Sequence, residues 1–347
     1  MVATSPYQCL TLSLLILPPL LLTTYFMAAF PSPPAPVFIN PSLASLPPTA
    51  KSWSIYPEDY YPGGGYAPLP SGKVRYWLMG PEKGKKVILI HGLSIPAIIW
   101  KDVAPTLAAR GYRVLVYDLY GRGYSDAPLT TYSTNLYTTQ LALLMQYLRW
   151  EKANIVGVSM GGAIAAAFTA QYPYLVDDGV ALIASAGLME SSDISRTAKF
   201  MSSPLVQMLT ASKPVQMYLQ RLTNQSASPD QAPSNPILDI VRIQSAHLPG
   251  YNNALSSSLR DGPIRGEINS FRSPGFENKR VLVLHGTKDR TVNPKYASQI
   301  TALLPQSSKK KLITIDGAGH DLSVSHGLEV SEALLDLLDG SSWKTLS

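Results

Sequence analysis

Short apolar runs alternate with amphipathic stretches along most of the chain. Continuous apolar runs of this length are typical of strands that are buried on both faces of a sheet. They lie at 73–79, 87–90, 114–117, 155–158, 180–183, 281–284 and 312–315, with helical patterns at 102–110, 138–149, 160–171 and 322–338. The alternation predicts an α/β fold with a mostly parallel sheet flanked by helices, and places 73–79 as an antiparallel edge strand.

Residues 184–280 interrupt this rhythm, because no strand pattern occurs between Ile183 and Val281. The gap predicts a helical cap at 188–275, inserted between a first core segment at 51–187 and a second at 276–347. Four methionines in or near its first part are interpreted as core packing inside the insertion, with an adaptable pocket lining as the alternative. They are Met189, Met201, Met208 and Met217.

The first fifty residues carry no charged side chain, since Lys51 is the first one. Residues 9–30 are uncharged and mostly apolar, which predicts a single-pass membrane anchor within residues 1–30 and a location in the secretory pathway or endoplasmic reticulum. A cleaved signal peptide, giving a secreted protein, and a buried helix are the alternatives. Seven prolines between Pro31 and Pro48 predict a linker at 31–50.

Composition narrows the classes of partner. With 46% hydrophobic and 15% charged residues the chain can bury a large core, and the excess of +6 charges is scattered rather than gathered into a patch. No nucleic-acid partner is therefore predicted. Cys9 is the single cysteine, and the sequence has no His-x-x-x-His pair or Gly-x-Gly-x-x-Gly after a strand. Neither a metal nor an organic cofactor is predicted, and the oligomeric state stays open.

The candidate nucleophile is Ser159, in the sequence Gly157-Val158-Ser159-Met160-Gly161 between a β-branched strand and an Ala-rich helix. A sharp strand-to-helix turn lifts such a serine above the sheet, and the helix N-terminus favours negative charge there. A serine hydroxyl needs a base within hydrogen-bond reach. Of the five histidines, His320 follows the last strand in a Gly-rich loop and is the predicted base, while His326 lies in the next helix.

The predicted orienting acid is Asp289, which follows the strand at 281–284 and gives the chain order Ser, Asp, His. Asp316 and Asp321 are rivals because they are close to His320 in sequence. Two backbone N–H groups are expected to bind the oxyanion. The candidates are Met160, which follows the nucleophile, and Leu93, with Ser94 as an alternative to Leu93.

Five sequence blocks together resemble the α/β-hydrolase superfamily over roughly residues 70–340. They are Ile90-His91-Gly92, Asp118–Ser125, Gly157–Gly162, His285–Asp289 and Gly317–His320. The resemblance is to the branch with a His-Gly-x oxyanion loop and a cap between the sixth and seventh strands, which includes esterases, monoacylglycerol lipases and epoxide hydrolases. It implies an α/β-hydrolase fold, with Asp118 and Ser125 as scaffold.

Two departures narrow the implied chemistry. Epoxide hydrolases of this branch place Asp where this chain has Ser159, and the loop at His91 lacks the Gly-rich sequence of some lipases and the Gly-Pro-Gly continuation of carbon–carbon bond hydrolases. The sequence therefore predicts a serine hydrolase that cleaves a small-molecule or lipid-like carboxylic ester through an acyl-enzyme. An acyltransferase with the same triad and a non-catalytic binding protein on this fold are the alternatives.

Overall fold

The computed structural model describes residues 6–29, 36–194, 196–203, 235–340 and 343. The chain divides into two compact units, Met1–Val37 and Phe38–Ser347. The first contains one helix, α1 (Pro6–Ala29). The second contains the sheet and all the predicted site residues, so it is the unit that matters for function.

Ten strands are present in the described residues. They are β1 (Ile39–Asn40), β2 (Gly64–Leu69), β3 (Gly72–Met79), β4 (Lys86–Ile90), β5 (Arg113–Tyr117), β6 (Ala127–Pro128), β7 (Ala153–Val158), β8 (Val176–Ile183), β9 (Arg280–Gly286) and β10 (Lys309–Ile315). Eight of them form one sheet in the order β10-β9-β8-β7-β4-β5-β3-β2. Strands β4, β5 and β7–β10 pair in parallel, whereas β3 is antiparallel to both of its neighbours. The predicted α/β class is confirmed.

The edge position predicted for 73–79 is wrong, because β2 lies outside β3. Strand β2 contains Gly64, Gly65 and Pro68, residues that are depleted in strands, so its sequence carries no strand pattern. The antiparallel direction predicted for β3 is correct.

Helices cover both faces of the sheet. After α1 they are α2 (Ser52–Ile55), α3 (Val103–Ala109), α4 (Thr134–Tyr147), α5 (Met160–Gln171), α6 (Arg196–Met201), α7 (Pro236–His247), α8 (Tyr251–Asp261), α9 (Ile268–Phe271), α10 (Lys295–Leu303), α11 (Leu322–Ser325) and α12 (Gly327–Asp339). The single helix predicted at 322–338 is divided into α11 and α12, because His326 has non-helical angles of φ −131° and ψ 38°.

Successive side chains of β4 enter two different hydrophobic clusters, as the alternation of a strand requires. Ile88 and Ile90 pack in the cluster that contains buried residues of α4 and α5. Val87 and Leu89 pack in the one that contains buried residues of α3 and α12. The central strands are therefore buried on both faces, which explains their continuous apolar sequence.

Strand β7 lies between β4 and β8 near the middle of the sheet. Because β4, β7, β8, β9 and β10 are parallel, the loops that follow them gather at one edge. The segment between β8 and β9 contains α6, α7, α8 and α9. The predicted cap at 188–275 spans these helices, and its residues 204–234 lie outside the described part of the chain, together with Met208 and Met217.

The Pro-rich segment makes contact with the core from Phe38 onward. Ile39 pairs with Pro128 in the two-stranded sheet of β1 and β6. Leu43 is fully buried, and its N–H donates to the carbonyl oxygen of Gly123 at 3.0 Å. Residues 38–50 thus belong to the compact unit that contains the sheet.

The predicted membrane anchor within residues 1–30 is wrong. Of the helices that the structure describes, none is both long and apolar enough to cross a membrane. Helix α1 contains Pro18 and Pro19, and the hydroxyl groups of Thr23 and Thr24 donate to backbone carbonyls of the preceding turn. The sequence interpretation accepted the two prolines as a kink that a membrane helix tolerates. The predicted membrane partner and location in the secretory pathway, which depended on the anchor, are wrong for the same reason.

Candidate active site

Ser159 occupies the sharp turn between β7 and α5. Its backbone angles are φ 57° and ψ −121°, which are unusual for a residue with a side chain. Its N–H donates to the carbonyl oxygen of Ile183 at 2.9 Å, which ties the turn to β8. A conformation of this kind costs on the order of 1–3 kcal/mol and persists because the surrounding structure imposes it. It presents the hydroxyl group at the edge of the sheet.

Two glycines make the turn possible. A Cβ atom at Gly157 would lie 2.0 Å from the carbonyl oxygen of Gly161. A Cβ atom at Gly161 would lie 2.3 Å from the carbonyl oxygen of Ile90 in β4. The Gly-x-Ser-x-Gly spacing therefore reflects close approaches between backbones, as expected for a nucleophile elbow.

His320 connects Ser159 to Asp289. Its Nε2 lies 2.9 Å from the Ser159 Oγ, and its Nδ1 lies 2.7 Å from the Asp289 Oδ2. With Asp289 ionised, Nδ1 carries the proton and Nε2 accepts the hydrogen bond from the serine hydroxyl. The fold brings together the three side chains predicted as nucleophile, base and acid, from loops that follow β7, β10 and β9.

The side chain of Asp289 is fully buried, but its carboxylate accepts several hydrogen bonds from the protein. Its Oδ1 accepts from the N–H groups of Thr291 and Val292 at 2.8 and 2.9 Å. Burial by itself raises the pKa of Asp289, but the hydrogen bonds from His285 and His320 outweigh it and hold the pKa well below its usual range. The group is therefore a carboxylate throughout the neutral pH range.

His285 is a second histidine on this carboxylate, and the sequence analysis did not select it. Its Nε2 lies 2.9 Å from the carbonyl oxygen of Val292 and 3.2 Å from the Asp289 Oδ2. One N–H shared between these two acceptors fixes the turn that carries the acid. The sequence signal was its position four residues before Asp289 in His285-Gly286-Thr287-Lys288-Asp289.

Both ring nitrogens of His320 are hydrogen-bonded to Asp289 and Ser159, which leaves neither for the rival acids. The Asp316 Oδ1 accepts from the Thr287 hydroxyl at 2.9 Å. Asp321 precedes α11, and its carbonyl oxygen accepts from the N–H groups of Val324 and Ser325 at 2.9 Å. His326 contacts the Ser325 hydroxyl at 2.9 Å. Within the described ranges, no group of three or more His, Cys, Asp or Glu side chains could hold a metal ion.

Both predicted oxyanion donors lie next to Ser159. Met160 is the first residue of α5 and is buried. Leu93 belongs to the loop after β4, where a Cβ atom added to Gly92 would lie 3.3 Å from the Ser159 Cβ. The role of the two N–H groups in binding an oxyanion stays a prediction.

His91 fixes the start of this loop from inside the core. Its Nδ1 donates to the Gly92 carbonyl at 2.9 Å, and its Nε2 accepts from the Leu119 N–H at 2.9 Å. Both bonds require the neutral imidazole with its proton on Nδ1. Burial is the main reason that the pKa of His91 is lowered to about 3.

The buried neutral His91 predicts acid sensitivity. In the unfolded chain His91 becomes protonated below a pH of about 6.5, whereas in the folded protein it stays neutral down to a pH of about 3. The free energy of unfolding is therefore expected to fall by roughly 1.4 kcal/mol per pH unit across this window because of this group. Urea unfolding at pH 7, 5.5 and 4 tests it: the decline should be smaller in His91→Gln, and an equal decline in both proteins would contradict it.

A pocket of about 610 Å³ opens at Ser159 and His320. Most of its lining is apolar, including Ile95, Ile99, Leu255, Leu259, Ile264 and Val292. Met189 is also part of this lining, and it packs against the hydrophobic cluster that contains α5, so it combines features of both interpretations of the methionines. Asp193 and Arg290 are its charged members. The space suits an apolar group placed against the serine hydroxyl.

Comparison with known proteins identifies the family. The chain is 27% identical over 247 residues to an uncharacterized protein of Mycobacterium tuberculosis, covering 68% of this chain and 70% of that protein. It is 28% identical to the 2-hydroxy-6-oxo-6-(2'-aminophenyl)hexa-2,4-dienoic acid hydrolase of Metapseudomonas resinovorans, covering 83% and 93%. The enol-lactonase structure from Burkholderia xenovorans superposes with a TM-score of 0.63 at 19% identity, covering 79% and 100%. Residues 85–326, more than half of the chain, match the family described as alpha/beta hydrolase fold. The chain belongs to the α/β-hydrolase fold family.

Proposed function

We propose that this protein is a serine hydrolase that cleaves a carboxylic ester through an acyl-enzyme on Ser159. The observation that carries the proposal is the continuous hydrogen-bonded chain from the Ser159 hydroxyl through His320 to Asp289, with distances of 2.9 and 2.7 Å. This arrangement activates a serine hydroxyl at neutral pH. Ser159 and His320 line an apolar pocket, in which an acyl group can be held against the nucleophile.

Acylation proceeds by attack of the Ser159 Oγ on the ester carbonyl carbon while the His320 Nε2 takes the hydroxyl proton. The carbonyl oxygen becomes an oxyanion that accepts from the N–H groups of Met160 and Leu93. Asp289 stabilises the imidazolium ion through Nδ1. The intermediate collapses, the carbon–oxygen bond to the alcohol breaks, and the alkoxide leaves with the proton from Nε2.

Deacylation repeats the sequence with water as the nucleophile. Water attacks the acyl carbon while Nε2 of His320 accepts a proton from it. Nε2 then returns a proton to the Ser159 Oγ as the carboxylic acid departs. The low pKa of Asp289 supports this role, since the acid must stay ionised while the imidazole gains and loses a proton. The cycle needs no group besides the chain and water.

The apolar lining of the pocket supports an ester with an apolar acyl chain of medium length. Of the proteins named above, one is called a hydrolase of a hexadienoic acid derivative and another an enol-lactonase, so the family by itself leaves the substrate open. Labelling with a tagged fluorophosphonate and assays with p-nitrophenyl esters of graded chain length test the proposal together. We expect labelling at Ser159 and an optimum above the acetyl ester. A protein that binds such esters without labelling or turnover would be a binding protein, and acyl transfer to an added alcohol in preference to water would indicate an acyltransferase.

Narrowing the pocket is expected to shift the preference toward short chains. Leu259 is half-buried and lines the pocket, so Leu259→Trp should occupy space needed by a medium-length acyl chain. We expect kcat/KM for the octanoyl ester to fall by about tenfold, in line with the contribution of about one methylene group in an apolar pocket. The acetyl ester should be hydrolysed at the wild-type rate. Leu303→Trp, at a half-buried leucine outside the pocket, is the matched control. An unchanged chain-length profile in Leu259→Trp would place the acyl group elsewhere.

A further inference from the structure

Three successive carbonyl groups of the loop after β4 accept hydrogen bonds from buried side chains. They belong to Gly92, Leu93 and Ser94. The donors are His91 Nδ1, Arg122 Nε and Tyr251 Oη in that order, each at 2.9 Å. All three donor residues are no more than 1% exposed. Gly92 is buried and Leu93 and Ser94 are half-buried, so their carbonyl groups need hydrogen-bond partners, and side chains of the core supply all three. The core therefore sets the orientation of the loop.

These bonds fix the direction of the predicted oxyanion donor. No peptide bond among the described residues is cis, and in a trans peptide the carbonyl and the following N–H point in opposite directions. The bond to the Gly92 carbonyl therefore orients the Leu93 N–H, and the bond to the Leu93 carbonyl orients the Ser94 N–H. The two peptide planes that flank the Leu93 Cα are both held.

Arg122 is the central member of this arrangement. Its guanidinium is fully buried and donates to three further neutral acceptors besides the Leu93 carbonyl. They are the Tyr120 carbonyl at 3.0 Å, the Tyr137 hydroxyl at 2.7 Å and the Ser258 hydroxyl at 2.8 Å. A buried cation is costly to desolvate, and a hydrophobic side chain of similar size would serve packing alone at lower cost. Its fork of donors, by contrast, joins the loop to α8.

Helix α8 supplies two contacts to this arrangement from one face. Tyr251 and Ser258 are seven residues apart, which is two helical turns, and so they lie above one another. Leu255 and Leu259 of the same helix line the acyl pocket. The helix thus forms a wall of the pocket and also a support of the loop that carries the predicted oxyanion donor.

We propose that Arg122, Tyr251 and Ser258 are positioning residues, which hold the loop at 92–94 so that its N–H groups point at the oxyanion. The proposal rests on the proposed function, since an oxyanion forms only if Ser159 attacks an acyl group. It assigns to α8 a part in catalysis beyond enclosing the substrate. Loosening a donor should weaken binding of the transition state more than binding of the ester.

Tyr251→Phe and Ser258→Ala test the proposal, because each removes one hydroxyl without adding bulk. We expect kcat for a short-chain ester to fall by about tenfold in each, less than the 10²–10³-fold loss typical when an oxyanion donor is removed outright. KM should stay within about twofold. Affinity for a trifluoromethyl ketone, which forms a tetrahedral adduct with the serine, should fall in parallel with kcat/KM. If the role were purely structural, the variants would have a lower unfolding temperature, and their inhibitor affinity would not fall in proportion to kcat/KM.

Two variants provide matched controls. Ser257→Ala, next in sequence on α8, removes a hydroxyl that accepts from the Tyr132 N–H at 2.9 Å. Tyr132→Phe removes a buried hydroxyl for which no partner is found in the described part of the chain. Both should keep wild-type kcat and inhibitor affinity. Wild-type kcat and inhibitor affinity in Tyr251→Phe and Ser258→Ala would overturn the positioning role, whereas a wild-type protein that neither hydrolyses esters nor labels at Ser159 would overturn the proposed function itself.

Discussion

Ser159→Ala is expected to reduce ester hydrolysis by about 10³-fold or more and to abolish fluorophosphonate labelling. The reason is that the hydroxyl is the group that forms the covalent bond, and the His320 Nε2, 2.9 Å away, has no other nucleophile to activate except water. The turn itself should survive, because Gly157 and Gly161 meet its close backbone approaches. Steady-state kinetics on a short-chain ester and intact mass after labelling measure the effect.

Ser202→Ala is the control for this substitution. Ser202 also lines the pocket, but its hydroxyl donates to the Lys199 carbonyl at 2.9 Å. Wild-type turnover is expected in this variant. Labelling or turnover that persists in Ser159→Ala and disappears in Ser202→Ala would show that the nucleophile is Ser202 and not Ser159.

The strands and the elbow could be predicted because their signals are local. A strand buried on both faces is apolar at every position, and a tight strand-to-helix turn needs glycine where backbones approach. Where the local signal was weak, prediction was wrong or silent. Strand β2 was missed because its Gly64, Gly65 and Pro68 have low strand propensity, and the break at His326 lies within an otherwise helical pattern.

The supporting side chains of the site could not be predicted, because their partners are distant in sequence. Arg122 and Ser258 are separated by 136 positions, and the Tyr251 hydroxyl reaches a carbonyl 157 positions away. Tyr251 and Ser258 belong to no spacing that signals chemistry, and Arg122 lies in the Asp118–Ser125 block, for which only a scaffold role was predicted. Asp118, interpreted as scaffold, does have structural contacts, since its carboxylate accepts from the N–H groups of Ala97 and Tyr124 at 2.8 Å. Such networks become visible only when the elements are packed.

The second large effect is expected at the acid. Asp289→Asn should lower kcat by roughly 10⁴-fold, because an amide can neither hold the His320 tautomer with its proton on Nδ1 nor stabilise the imidazolium ion. Asp316→Asn and Asp321→Asn should stay within about threefold of the wild type, because both residues are exposed and neither carboxylate is bonded to the imidazole in the described ranges. The same assays compare all three variants, with circular dichroism to verify the fold.

The buried position of Asp289 makes this comparison sharp. Its carboxylate accepts from two backbone N–H groups and from both His285 and His320, so an amide at this position also turns donors toward donors. The unfolding temperature of Asp289→Asn should therefore be lower than that of the wild type. Activity is to be compared at a temperature where every variant is folded. At that temperature, a kcat for Asp289→Asn near that of Asp316→Asn would show that another group orients His320. If Asp289 is the charged partner of Nδ1, its loss must slow the step in which the imidazole is protonated.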